Sequence, residues 1–493
     1  MKRLLITFFF PVFLLVNISF ALSAETESVA APTIRMGEGS TSGKNGKGAV
    51  PQVPAVTETE LPGDNVAESG GPSPEKLQFD LTDCVRMSVR NNSELRGAEY
   101  EIEESKWKLK EAQPRGIPVI NYQYEAAPAP TDANDPVGSF FNGDVTMENR
   151  VKVEVGFPIT SFGKIHTAQQ LAKEGITASI EKKNQKSSEI VLKTKQLYYG
   201  ILLARDLRSM LQDASRKLDE EVGKRENSSS PSDPVDLAKL KLTRYEVLKR
   251  LGEVNKKEEL AIEGLRITMG IDRSHAFEIT DRHLKPVEFE LKDVTYYLEE
   301  AKRYRPESKL LDIAIKAKED EYRLEKKKLL PNLGAGGFFE LGRSTGDIRN
   351  VGSTSNFNDP FNFTRAAVGL RLSGELNIRE ARARIRQKQA EYYKMSVMKD
   401  YAEEGLDLDV RDAYLSVKQT KTDEENAEKA LRLARQLVFL TKTNYDVGVG
   451  DKKDYGDSLQ SYLLMKARYY EAVFNYNVAV ASLISKVGYQ YSP

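Results

Sequence analysis

The sequence predicts an α+β membrane protein built as a twofold internal repeat, each copy reading helix, strand, strand and long helical hairpin. Three observations carry this. From Leu81 onward residues recur at a shift of about 213, pairing Glu94 with Glu307, Pro118 with Pro331, Gly156 with Gly369 and Ala168 with Ala381. Four segments alternate apolar and polar residues over about ten positions, two in each copy. Helical patterns run on for many more turns than the three or four usual in globular domains.

The first 24 residues carry Lys2 and Arg3, an apolar run from Leu4 to Val16, and small-residue exits at Ala21 and Ala24. This is the pattern of a secretory signal peptide. Residues 25–77 are rich in Gly, Pro, Ser and Thr and read as a disordered linker. The tract Gly39 to Asn45 inside it lacks the spacing and the Ser or Thr of a phosphate loop. The first repeat spans 78–270, a turn-rich connector 271–290, and the second repeat 291–488. Toward the end of each copy the shift drifts, so that Tyr198 falls near Tyr414, Asp236 near Asp454 and Gly270 near Gly488.

Strands are expected at about 117–126, 148–158, 332–342 and 363–373. Side chains alternate across a strand, so two faces follow. Ile120, Tyr122, Tyr124, Val151, Val153, Val155, Val368 and Leu370 form the apolar one. Asn121, Gln123, Lys152, Glu154, Arg365 and Arg371 form the polar one. Tyr122, Tyr124, Phe338, Phe339, Phe361 and Phe363 are candidates for interfacial aromatics. Past the signal no apolar stretch reaches the roughly 18 residues of a spanning helix, so any entry into a membrane is by strands. Four strands are too few to close a barrel, which needs about eight, and several chains must pool theirs.

The helix entered near Ser161 runs to about Asn227, roughly 100 Å at about 1.5 Å per residue. Apolar residues keep a four-three rhythm through Leu197, Ile201, Ala204, Leu211, Leu218 and Val222, and again through Ala427, Leu431, Ala434, Val438, Thr441 and Tyr445. The returning helices repeat it with Val247, Leu251, Val254, Ala261 and Leu265, and with Tyr469, Val473, Tyr476, Val480 and Leu483. Such narrow stripes suit helices packed side by side. On the helices alone a coiled-coil rod fits as well. Four strands at matching points of two repeats have no use in a rod.

Equal numbers of basic and acidic residues, 73 each, give no net charge to attract nucleic acid. The single cysteine, Cys84, excludes an intrachain disulfide. His166, His275 and His283 are scattered, without the spacing of a metal site. No nucleophile elbow, dinucleotide fingerprint or complete phosphate loop is present. The sequence therefore gives no sign of an enzyme, a cofactor or a metal.

From Leu81 to Gly488 the chain resembles the TolC-like outer-membrane efflux proteins. The opening motif stands as Asn92-Ser93-Glu94-Leu95 and as Arg305-Pro306-Glu307, and the strand-entry prolines as Pro118 and Pro331. Tyr445-Asp446-Val447-Gly448, followed by Asp454, Asp457, Tyr469, Tyr476 and Gly488, is similar to the family's second hairpin. The resemblance implies a homotrimer whose strands form one twelve-stranded barrel in outer-membrane lipid, continuous with an α-helical barrel in the periplasm. It implies a passive export duct of a tripartite efflux or type I secretion system, working with a periplasmic adaptor and an inner-membrane RND or ABC-type transporter. It places the gated periplasmic aperture at Tyr445, Asp454, Asp457 and Asp236, with the polar strand face toward the pore and the apolar face toward lipid. Gly450 stands where the family often has a latching Arg. Read without the resemblance, Asp454 and Asp457 also suit the start of a helix, where acids are favoured by about 0.3 to 1 kcal/mol each. The rival function is a periplasmic coiled-coil scaffold or adaptor without a pore.

Overall fold

The computed structural model describes residues 77–113, 118–227, 234–352, 359–374 and 377–489. The signal and nearly all of the linker lie outside the described residues. Each repeat begins with two short helices, α1 (Leu81–Asn91) and α2 (Ser93–Glu111) in the first, α6 (Val294–Tyr304) and α7 (Pro306–Lys327) in the second. Local chemistry sets their breaks. Asn92 leaves the helical region, accepts a hydrogen bond from the Glu94 N–H and donates its amide to the Thr268 carbonyl at 3.0 Å. Arg305 holds the equivalent place, buried, with its guanidinium donating to the Leu406 carbonyl and to Asp409 on the next long helix.

The strands β2 (Val119–Pro130) and β3 (Val145–Thr160) follow in the first copy, and β5 (Asn332–Ser344) and β6 (Phe363–Ser373) in the second. Then come the long helices. α4 (Lys164–Glu226) returns as α5 (Pro234–Met269), and α8 (Ile378–Asp446) returns as α9 (Lys452–Val487). At about 1.5 Å per residue, the 63 residues of α4 and the 69 of α8 are each roughly 100 Å of helix.

Each hairpin closes back on its own short helices through a glycine. Gly270 and Gly488 follow α5 and α9 with φ of +66° and +82°, a left-handed conformation that favours glycine. A Cβ on Gly270 would stand 2.6 Å from the Asn91 carbonyl oxygen, and one on Gly488 2.6 Å from the Arg305 Cα. The repeated Gly is thus needed both for its backbone and for the close approach to the α1–α2 or α6–α7 break.

The expected helical stripes are the ones that bury. Ile201, Ala204, Val222, Ala261, Leu265, Leu431, Ala434, Val473, Tyr476, Val480 and Leu483 are buried, the other stripe residues, such as Leu197, Leu218, Val247 and Val438, are half-buried, and Tyr445 is exposed. One core gathers Cys84, Tyr198, Ile201, Leu265 and Met269, and a second gathers Tyr297, Val410, Val417 and Leu483. α9 joins them, giving Val473 to the first and Tyr476 to Val487 to the second. Each large apolar side chain so buried contributes about 1.5 to 3 kcal/mol. Arg208, which interrupts the stripe, reaches the buried Glu258 of α5 at 2.5 Å.

Three features depart from the expected pattern. Leu77–Phe79 (β1) and Phe277–Ile279 (β4) pair in parallel, so a strand lies in the connector and another at the linker's end. Each is three residues long, too short to show a period. The first strand, expected to end near residue 126, instead continues as β2 through Pro130, and the chain then forms a short helix, α3 (Pro136–Asn142). Prolines are tolerated because β2 has only one strand partner, and Asp135 starts α3 by accepting from the Gly138 N–H. His283 is not an isolated side chain: its Nδ1 lies 2.7 Å from Asp206 of α4, whose other oxygen accepts the Leu284 N–H. With Asn477 of α9 accepting from the Val287 N–H and donating to the Lys285 carbonyl, this holds the connector to both long hairpins.

Gly270→Ala and Gly488→Ala are each expected to lower the unfolding free energy by about 1 to 3 kcal/mol. Gly175→Ala, within α4 and with nothing within 4 Å of its Cβ, is expected to raise it by about 1 kcal/mol. Denaturant unfolding in detergent followed by circular dichroism separates the two kinds of glycine.

Candidate functional site

The four longer strands make one antiparallel sheet in the order β2-β3-β5-β6. Its register decides which residues share a face. Tyr122, Val153, Phe339 and Ala366 stand in one row, and Tyr124, Val151 and Leu341 in the next. Ile120 pairs with Val155, while Val368 faces Gly337 and Leu370 faces Ala335. All eight residues expected on the apolar face therefore lie on one side of the sheet. Tyr122 is 85% and Val368 92% exposed, an apolar surface that a single chain leaves uncovered.

The opposite side carries rows of Gln123, Lys152, Glu340 and Arg365, and of Asn121, Glu154, Phe338 and Ala367. Charges there answer one another. Lys152 pairs with Glu154 at 2.8 Å, Arg371 approaches Glu154 at 4.0 Å, and Arg150 approaches Glu340 at the same distance. Phe338 and Phe363 fall on this charged side, not among the apolar-face aromatics, and Arg365 lies 4.0 Å over the buried Phe363 ring. The alternation rule gives this once the register is fixed, because each stands an odd step from the apolar rows. Beyond the strands, Thr131 to Ala133 and Arg349 to Asn350 tie the two outer loops, with Arg349 N–H donating to the Thr131 carbonyl at 2.7 Å.

At the other extreme stand the hairpin tips. The turn from α8 to α9 is compact: the Val449 and Gly450 N–H groups both donate to the Asn444 carbonyl. A Cβ on Gly450 would meet the Asn444 Cβ at 2.9 Å, which is a steric reason for glycine at this point of the turn. Asp451, not Asp454, caps α9 by accepting from the Lys453 N–H. Asp454 lies in the first turn and Asp457 a turn further, both exposed, and among the described residues no basic side chain pairs with either. The helix-start explanation serves Asp454 but fades by Asp457. Tyr445 stacks on Tyr455 across the hairpin with centroids 6.1 Å apart, and Thr441 meets Ser458 at 2.7 Å.

Asp236 stands in the first turn of α5, on the other hairpin, 4.0 Å from Lys239. Six residues of that tip, 228–233, lie outside the described ones. The hairpins are joined by Lys452, whose Nζ donates to Glu221 of α4 at 2.6 Å. Sequence reasoning missed this pair, whose members stand 231 positions apart, and no local pattern signals it. The Lys452 hydrogen bond holds the Glu221 carboxyl below the usual carboxylate range. Among the described residues no cluster could hold a metal ion, and no helix is long and apolar enough to cross a membrane.

The sequence pattern of the family described as Outer membrane efflux protein matches residues 298–488. No curated protein matches the sequence. Among solved structures, the CmeC outer membrane channel of Campylobacter jejuni is 15% identical with a TM-score of 0.65, over 88% of this chain and 94% of that one. The open state of the MtrE outer membrane channel of Neisseria gonorrhoeae is 14% identical with a TM-score of 0.65, over 83% and 88%. A membrane protein of Pseudomonas aeruginosa is 14% identical with a TM-score of 0.67, over 83% and 93%. At such identities the likeness is one of fold. The resemblance read from the sequence holds: the family's pattern lies in the second repeat, and the described chain has the channels' fold. An outer-membrane protein with a helical periplasmic part agrees with both.

Lys452→Ala is expected to cost under about 1 kcal/mol of stability, since the pair is largely exposed. Its effect is local. Because the folded pKa of Glu221 is depressed, its contribution is present above the unfolded value and is lost as pH falls through the folded one. Hydrogen exchange of Asn444 to Asp457 is expected to be faster in Lys452→Ala at neutral pH. The native protein should catch up only below the carboxylate range, and Glu221→Gln should show no such acid step.

Proposed function

We propose that this chain is one third of a passive export duct carrying substrates from an inner-membrane transporter across the periplasm and outer membrane. One observation carries the reading: a four-stranded sheet with two open edges, apolar on one side and charged on the other, leads directly into helices of roughly 100 Å. In lipid each unpaired backbone group costs several kcal/mol, so the edges of β2 and β6 must be paired. Joining β6 of one copy to β2 of the next closes the sheet, and three copies of four strands give twelve. That exceeds the roughly eight strands a membrane barrel needs.

The apolar side then meets lipid through Ile120, Tyr122, Tyr124, Val151, Val153, Val155, Val368 and Leu370. The charged side lines the lumen with Asn121, Gln123, Lys152, Glu154, Arg365 and Arg371. The long hairpins form the periplasmic tunnel, and their tips its aperture. Tyr445, Asp454, Asp457 and Asp236 are the proposed aperture residues. Repeated about a threefold axis, the exposed aspartates form a negative ring that binds cations and holds back anions. The chain carries no energy source of its own. An adaptor and an RND or ABC-type transporter supply one, in a tripartite efflux or type I secretion system.

The full-length protein is expected in the outer-membrane fraction, extracted only by detergent, as a trimer that conducts in planar bilayers. Asp454→Ala with Asp457→Ala should raise single-channel conductance or weaken block by multivalent cations. Unchanged conductance and block would remove the aperture assignment. A stable monomer free in the periplasm would remove the duct and favour a coiled-coil scaffold.

A further inference from the structure

Two basic runs stand at the base of the sheet. α8 opens with Ile378 to Gln389, which holds five Arg and Lys against one acid in a chain that is neutral overall. α2 closes with Lys106, Lys108 and Lys110 around the only tryptophan, Trp107, among the acids Glu103, Glu104 and Glu111, with Lys108 paired to Glu104 at 2.6 Å. On α8 the basic residues serve two faces. Arg384 and Lys388 turn to α7, reaching Glu325 at 3.1 Å and Glu321 at 2.9 Å. Arg379, Arg382 and Arg386, spaced three and four apart, form an exposed stripe. Arg386 donates to Gln389, and among the described residues none of the three has an acidic partner. They also stand near the start of a helix, where the peptide dipoles already present positive charge. On α2, Lys110 lies 3.7 Å over the Trp107 ring, which is itself exposed.

Topology brings these runs together. α2 leads into β2 and α8 leaves β6, the two edge strands of the sheet. When copies join edge to edge, α8 of one comes beside α2 of the next, so the unpaired arginine stripe of α8 stands by Lys106, Lys110 and Trp107 and keeps a net positive charge at each junction. Immediately toward the sheet lie exposed apolar side chains, Ile159, Phe162, Leu330, Leu372 and Ile378. Aromatic and basic side chains below an apolar band are what the membrane interface selects.

We propose that the basic stripe of α8 and the end of the next copy's α2 bind the phosphate headgroup of an anionic phospholipid in the helix-side leaflet, and that this lipid strengthens the junction between copies. The inference rests on the trimeric duct. The headgroup supplies the missing countercharge and its acyl chains cover the apolar residues beside it. Basic residues near an anionic membrane surface contribute about 1 kcal/mol each, so three of them suffice for a selective effect.

The test uses the full-length protein, delipidated in detergent and placed in nanodiscs of phosphatidylcholine with or without phosphatidylglycerol. Phosphatidylglycerol is expected to strengthen trimer association by about tenfold or more, and native mass spectrometry should find it retained in preference to phosphatidylcholine. Arg379→Gln with Arg382→Gln and Arg386→Gln should trimerise as well as the native chain in phosphatidylcholine but lose both responses. Equal retention of the two lipids, a triple variant that keeps the phosphatidylglycerol effect, or full replacement of the lipid by inorganic phosphate would overturn the proposal. So would a triple variant that falls apart already in phosphatidylcholine, which would mean direct ion pairs between copies. Trimers without lipid selectivity refute only this inference, whereas monomers in every lipid refute the duct as well.

Discussion

The backbone of two edge strands governs the architecture. β2 and β6 each have one partner, and the sheet they bound has an apolar side that a lone chain leaves bare. In water such a sheet is an aggregation hazard, and in lipid its edges are more costly still. The same unsatisfied groups become an assembly rule once further copies are present. On the proposed reading the chain folds a segment of wall, and the free edges specify what stands beside it. That the two edges belong to different repeats follows from the strand order, in which the copies meet at β3 and β5 and leave β2 and β6 outermost.

Below the sheet, helix packing takes over from strand pairing, and the repeat supplies the joints. Each hairpin travels far from the sheet and must return to a fixed level. It does so where Gly270 or Gly488 meets the break between two short helices. The breaks are built differently, from Asn92 in one copy and a buried Arg305 in the other. Arg305 ties its break to α8, whereas Asn92 ties its own to α5. The connector then locks the copies together through Asp206 and Asn477, polar groups buried deep enough that each needs the hydrogen bonds it makes. Burial of apolar stripes gives the helices their stability, and these few polar joints fix their level.

What could be read from sequence was what repeats within a few residues. Period-two alternation placed the two faces of β2, β3 and β6, and the four-three rhythm picked out helix residues that, Tyr445 apart, are buried or half-buried, while passing over Leu202, Leu207 and Met210. β1 and β4 escaped because three residues show no period, and α3 because its seven residues, two turns, are too few to show a helical one. The remaining misses are contacts between distant positions. Nothing near His283 announces Asp206, and nothing near Lys452 announces Glu221. At the proposed aperture the sequence named the exposed acids and their place at a helix start, but not the cap itself, Asp451, which stands before the first turn.

The distribution of charge bears on where a duct of this kind exerts choice. On the charged side of the sheet Arg150, Lys152, Arg365 and Arg371 are matched in number by Glu125, Glu148, Glu154 and Glu340, and several of them pair directly. A wall so balanced exerts little net pull on a charged solute, because the fields of alternating neighbours cancel within about a Debye length. The tips differ. Asp454 and Asp457 are exposed and in no ion pair among the described residues, and of the nearby lysines Lys452 is committed to Glu221 and Lys442 to Asp446, which leaves Lys453 alone against the two acids. On the proposed reading the broad barrel is therefore permissive and the discrimination by charge falls at the narrow end, where the pairs that withhold the lysines also leave the aspartates free to act.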